Sequence, residues 1–202
     1  MTRKPPPEFD LLAACCRWPR TTEAIDAIRQ AAATKIDWNL LRRLVKYHRV
    51  GGLVQDGLKR AGVAPPADIA RKLDAAAMSI ARSGLRLAAE SVRLQRRFDQ
   101  AGIPVLFLKG TALGQRVYGS IGLKRSRDID LFVAEADVEA AVALLEADGY
   151  AIAKEYAGID KERLQYLIDY TKEVPLKHAG SGQFVEVAWR AANNRQIGRA
   201  HV

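Results

Sequence analysis

The chain has 202 residues, 49% hydrophobic and 27% charged, a globular composition that excludes a disordered or low-complexity protein. Lys and Arg outnumber Asp and Glu by 32 to 23, and the net charge of +9 favours anionic partners without choosing between nucleotides, nucleic acid and acidic surfaces. The two cysteines, Cys15 and Cys16, are adjacent with no metal-ligand spacing, and neither a signal peptide nor a membrane span is legible, so a reduced, cytoplasmic protein is expected.

In chain order, the first hundred residues read as helical. Pro5-Pro6-Pro7 leads into an apolar segment, Phe9 to Trp18, closed by Pro19. Thr21 or Thr22 is placed to cap a second helix and Asp37 a third. Behind Asp37, Leu40, Leu41, Leu44, Val45 and His48 recur at helical spacing, and the histidine on that apolar face is expected in the core. Gly51-Gly52 is expected to break the run, and another helix follows to Gly62. From Asp68 to Ala101 the Ala-, Leu- and Arg-rich stretch predicts one long helix or two, stopped by Gly102.

At Gly102 the pattern changes. Pro104 to Leu108 is a continuous apolar run of strand length, expected to be buried on both faces. Lys109-Gly110-Thr111 opens a turn into a short helix, a basic loop with two glycines follows to Arg127, and Asp128 to Val133 is a second strand. Asp137 is placed to cap the next helix, Tyr150 to Ala153 is a third strand, and 159–170 is helical. Two alternating runs, Lys172 to Ala179 and Gln183 to Arg190, flank Gly180-Ser181-Gly182 as a hairpin, with Pro175 expected to put the first run at an edge. The fold class is therefore α+β: a helical N-terminal region, then a small mixed β-sheet with flanking helices.

Chemistry concentrates in the second half. Strand residues two apart point the same way, so Asp128 and Asp130 stand side by side while Ile129 turns inward. Two such carboxylates repel, and either a divalent cation or neighbouring arginines such as Arg125 and Arg127 would relieve them. Upstream, Gly110 permits close backbone approach to a phosphate, the helix start offers free N–H groups and Thr111 adds a hydroxyl. Glu186 is a third carboxylate, on a strand whose same face carries Phe184 and Ala188. If that strand lies beside the Asp strand, Glu186 can complete a metal site or accept a proton from an attacking hydroxyl.

The order strand, Gly-Thr, helix, loop, Asp-x-Asp and a later strand acid resembles the polymerase-beta-type nucleotidyltransferase superfamily. More narrowly, FLKGTALGQRVYGSIGLKRSRDIDLFV is similar to an uncharacterised bacterial nucleotidyltransferase-like family, as are KYHRVGGL at 46–53 and FVEVAWR. The likeness spans roughly 35–190, its specific part 105–133. Two positions differ: Ala188 stands where that family tends to carry His, and Thr111 where the superfamily more often has Ser. The resemblance implies a metal-dependent nucleotidyltransferase moving NMP from NTP to a hydroxyl on a small molecule or protein. It implies two Mg²⁺ ions, with Mn²⁺ as a substitute, held by Asp128, Asp130 and Glu186 as the catalytic carboxylates. Gly110 and Thr111 would hold the β/γ-phosphates, and Lys109, Lys124, Arg125 and Arg127 would be available to neutralise triphosphate charge. The rival expectation is an inactive module that keeps this fold and binds nucleotide or nucleic acid through basic surface; nucleic acid is the less favoured partner.

The expected organisation is a helical region at 1–101 and a nucleotidyltransferase-like core at 102–195. The tail from Ile197 to Val202 back-translates onto the start of a widely used sequencing adapter, so 196–202 is expected to be non-native and the core cut short.

Overall fold

The computed structural model of the protein describes residues 5–153 and 161–191; the tail at 196–202 lies outside them. The described residues form eight α-helices and one five-stranded sheet, the α+β class expected. No helix among them is long and apolar enough to cross a membrane. The chain divides into two compact units, Met1–Arg86 with Gly114–Ser126 and Leu87–Leu113 with Arg127–Val202.

The first unit is helical. It contains α1 (Pro7–Cys16), α2 (Thr22–Ala32), α3 (Trp38–His48), α4 (Gly51–Ala61) and the first half of α5 (Ala67–Ala101), a single 35-residue helix. The predicted caps form: Thr21 Oγ1 accepts from Ala24 N at 3.2 Å, and Asp37 Oδ1 accepts from Asn39 N and Leu40 N at 2.9 and 3.0 Å. Leu11, Ile28, Leu41, Val54 and Ile69 fill the core. Leu40 and Leu44 are only half-buried. His48 is exposed rather than in the core, because it ends α3, and its ring meets Phe9 and Tyr47 edge-on. The break between α3 and α4 falls earlier than expected. Arg49 takes a left-handed conformation, φ 60°, and Gly51 and Gly52 open α4 instead of interrupting it.

Those glycines have a packing reason. A Cβ on Gly52 would lie 2.5 Å from the Leu123 carbonyl oxygen, and one on Gly84 of α5 would lie 2.4 Å from the Ile121 carbonyl oxygen. Bare backbone at both positions lets the loop before Asp128 lie directly on α4 and α5.

The second unit holds β1 (Leu106–Phe107), β2 (Asp128–Phe132), β3 (Tyr150–Ile152), β4 (Glu173–His178) and β5 (Phe184–Ala188), in the spatial order β1-β2-β5-β4-β3. β2 and β5 pair in parallel; the other neighbours are antiparallel. With them are the end of α5, α6 (Gly110–Tyr118, which runs into the first unit), α7 (Val138–Ala147) and α8 (Lys161–Tyr170). One sheet face carries Ile129, Leu131, Val174, Leu176, Val185 and Val187, packed with Leu94 and Phe98 of α5 and Leu145 of α7.

Three further expectations need correction. The apolar run at 104–108 is a two-residue edge strand, with Leu106 64% exposed, because an apolar run does not reveal whether anything covers its second face. Asp137 makes no side-chain cap, since a 3₁₀ turn, Glu135–Asp137, leads into α7. The hairpin of β4 and β5 forms, but Pro175 lies in an interior strand. Its carbonyl accepts from Ala153 N at 2.9 Å, so its own nitrogen points to the side where β3 has already ended, and no bond to β5 is lost.

Candidate active site

The second face of the sheet carries the acids. Parallel register sets Asp130 directly opposite Glu186 and Asp128 opposite Phe184. Alternation along β2 then puts Asp128 on the same face as Asp130, with Ile129 and Leu131 turned to the core. Glu186 therefore shares a face with both aspartates. Asp130 is 8% exposed, a deeply placed acid for an outward-facing strand position, whereas Asp128 and Glu186 are half-buried.

Lys109, just beyond β1, reaches back across the strand: its Nζ donates to Asp130 Oδ1 at 2.9 Å. The backbone reinforces this proximity, because Leu108 N donates to the Asp130 carbonyl at 3.1 Å. The pair holds the Lys109 ammonium more firmly than usual, raising its pKa first through the hydrogen bond and then through the charge of Asp130. Gly110 follows at φ 63°, a left-handed conformation that a side chain would strain, and it turns the chain from strand into α6. Thr111, in the first turn of α6, is 9% exposed, and its side chain has no hydrogen-bond partner among the described residues. Its hydroxyl and the first N–H groups of α6 are free to receive an anion.

The pKa of Glu186 is raised too, which for an acid favours the neutral form. Burial pushes its carboxyl above the usual range, and the negative charges of Glu173, Asp128 and Asp130 add to the shift, with Lys109 opposing them. Glu173 is an acid that the sequence reading did not single out. It begins β4, two residues before Pro175, which faces Glu186 across the hairpin, and it is bridged to Lys172 at 3.1 Å. Counting the hairpin register back from Gly180-Ser181-Gly182 would have placed it on this face. The same turn is tied by His178, whose Nδ1 accepts from Gly180 N and Ser181 N.

Lys109, Gly110, Thr111, Asp128, Asp130 and Glu186 thus all belong to the second unit. Arg127 lies exposed just before β2, forms no ion pair among the described residues, and offers its carbonyl to Gln183 Nε2 at 3.3 Å. Lys124 and Arg125 belong to the first unit. The donors on the sheet face are carboxylate oxygens, the ligand type that suits a hard divalent cation. Among the described residues, however, no group of three or more His, Cys, Asp and Glu side chains is drawn together as a metal cage.

A family model described as uncharacterised nucleotidyltransferase matches residues 34–200. No curated protein and no solved structure matches the chain.

Proposed function

The chain belongs to this uncharacterised nucleotidyltransferase family, and from that premise we propose that it transfers an NMP group from an NTP to a hydroxyl-bearing acceptor in a reaction that needs Mg²⁺ or Mn²⁺. The observation that carries the reading is the β2·β5 register, with Asp130 facing Glu186 and Asp128 on the same side. Three carboxylates and one contacting lysine leave an excess of negative charge that a divalent cation would offset. Mg²⁺ is usually held by one or two carboxylates together with substrate phosphates, so a fully closed protein cage is not required. The residues present fit it: Asp128 and Asp130 would hold the ions, with Glu186 as the third ligand. The cation supplies charge neutralisation and a more acidic acceptor hydroxyl.

The chain's own groups do the rest. The α6 N-terminus, Gly110 and the Thr111 hydroxyl bind the β/γ-phosphates, with Lys109 beside them. Lys109 exchanges its contact with Asp130 for phosphate oxygen when NTP arrives. The acceptor oxygen attacks the α-phosphorus, the bond to the β-phosphate oxygen breaks, and pyrophosphate leaves. The acceptor's proton passes to a Glu186 carboxylate oxygen that the cation leaves free. Free thiols at Cys15 and Cys16, the first pushed up to about 12 by burial, accord with a reducing, NTP-rich cytoplasm.

The test compares wild type with Asp130→Asn in thermal shift, with and without Mg²⁺ and NTP. At a hundredfold excess over Kd, the Mg²⁺-dependent part of the NTP shift should be about 2.7 kcal/mol in the wild type and close to nothing in the variant. Equal Mg²⁺-dependent parts would mean that Asp130 holds no metal. Their absence from both proteins would favour an inactive module that binds nucleotide through cations.

A further inference from the structure

Cationic side chains of the first unit converge on one concavity of about 420 Å³. Arg42, Lys46 and Arg49 come from α3 and its end, Lys72 and Arg86 from α5, and Arg125 from the loop after α6. No Asp or Glu lines it. Lys72 is paired with Asp68 at its exposed rim; the other five cations form no ion pair among the described residues.

Three further features set this hollow apart from an ordinary solvated face. Arg42 Nε is buried and has no hydrogen-bond partner among the described residues, an arrangement native interiors seldom leave unanswered. Gly51, the first residue of α4, lines the same hollow, and α4 carries no side-chain cap, so its opening N–H groups are available to an anion. Arg49 sits at φ 60° where a helix end favours glycine, which places a guanidinium there at the expense of backbone ease. Val45, Leu73 and Ile80 form an apolar floor, against which charge interactions are less screened than in water.

We propose that this hollow binds a small molecule carrying a chain of phosphates, at a site built wholly from the first unit and needing no divalent cation. Its volume is that of a pocket for a nucleotide-sized ligand. Cations that surround a single hollow suit a compact polyanion, whereas a single-stranded nucleic acid is held by a groove with aromatic stacking platforms, and no aromatic side chain among the described residues lines this hollow. Arg42 Nε and the α4 N-terminus donate to phosphate oxygens, and Arg125 closes over them from a loop that Gly52 and Gly84 hold in place.

The experiment titrates inorganic tripolyphosphate, and separately ATP, into the full chain in EDTA at constant ionic strength, read by calorimetry. Saturable binding of tripolyphosphate to wild type is expected. Arg42→Gln and Arg125→Gln should each weaken it about tenfold, the loss of one charge-assisted contact. Arg125 is exposed, so its variant tests the site even if Arg42→Gln unfolds. Arg43→Gln removes the same charge from an exposed α3 position outside the hollow and should leave binding intact, as should Asp130→Asn. ATP binding tighter than tripolyphosphate assigns a nucleotide as the source; equal binding assigns a phosphate chain without nucleoside. The proposal falls if Arg43→Gln weakens binding as much as Arg125→Gln, if tripolyphosphate does not saturate, or if only a single-stranded oligonucleotide binds.

Discussion

The two units divide the charge of the chain unequally. The first holds 19 Lys and Arg against 8 Asp and Glu, a net +11; the second holds 13 against 15, a net −2, and together they make the +9 of the whole. Their arrangements differ as well. In the sheet unit several acids are clasped: Asp148 by Arg93 and Arg97, Glu135 by Arg190, Asp130 by Lys109. Glu186 is left among like charges on the open face. In the helical unit Asp56 is held by Arg20 and Arg60, while the cations around the hollow stand mostly unpaired. A single net charge hides two opposite local fields, a negative one on the sheet unit and a positive one on the helical unit. That contrast can be broken at the level of the cores, of the loop, and of single charges.

The largest effects should come from the cores. Leu41→Ala in the helical unit and Leu94→Ala in the sheet unit, both at 0% exposure, should each lower the unfolding free energy by about 2–5 kcal/mol in urea denaturation. Leu44→Ala, half-buried, should lose less than Leu41→Ala. Equal losses at the two positions would mean that Leu44 is as well buried as Leu41.

Next comes the loop. Gly52→Ala forces a methyl against the Leu123 carbonyl, so the loop or α4 must shift, at about 1–3 kcal/mol. Because that loop carries Arg125, the same variant should also weaken tripolyphosphate binding while Mg²⁺-dependent NTP binding at the sheet unit persists. Unchanged stability would show that the loop does not rest on α4.

The smallest effect is electrostatic. A carboxyl whose folded pKa is raised adds stability below its unfolded pKa and loses it as pH rises through the folded value. Glu186→Gln should therefore remove a decline in stability above the ordinary carboxylate range, leaving the variant more stable at neutral pH by under about 1 kcal/mol in metal-free buffer. Added Mg²⁺ should narrow the difference by stabilising only the wild type. A variant less stable than wild type at neutral pH would contradict the raised pKa.

Much of this was legible from local rules. Helix caps at Thr21 and Asp37, the hairpin at Gly180-Ser181-Gly182 and the same-side placement of Asp128 and Asp130 follow from propensities and a two-residue period that act within a few residues. Glu173 was legible in principle, through hairpin register, yet its residue type alone gave no signal.

By itself, the sequence determined the element types, the α+β class, the nucleotidyltransferase likeness and the presence of an acidic strand pair, because each is written in contiguous residues. Only tertiary structure decided that Glu186 faces Asp130, that Lys109 answers Asp130, and that Arg42, Lys46, Arg49, Lys72, Arg86 and Arg125 share one hollow. Those pairings join residues far apart in sequence, and they depend on which strand lies beside which and on whether bare glycine backbone lets a loop approach a helix. Neither sheet order nor close backbone approach leaves a periodic trace in the residues concerned, so neither could be read until the chain was folded.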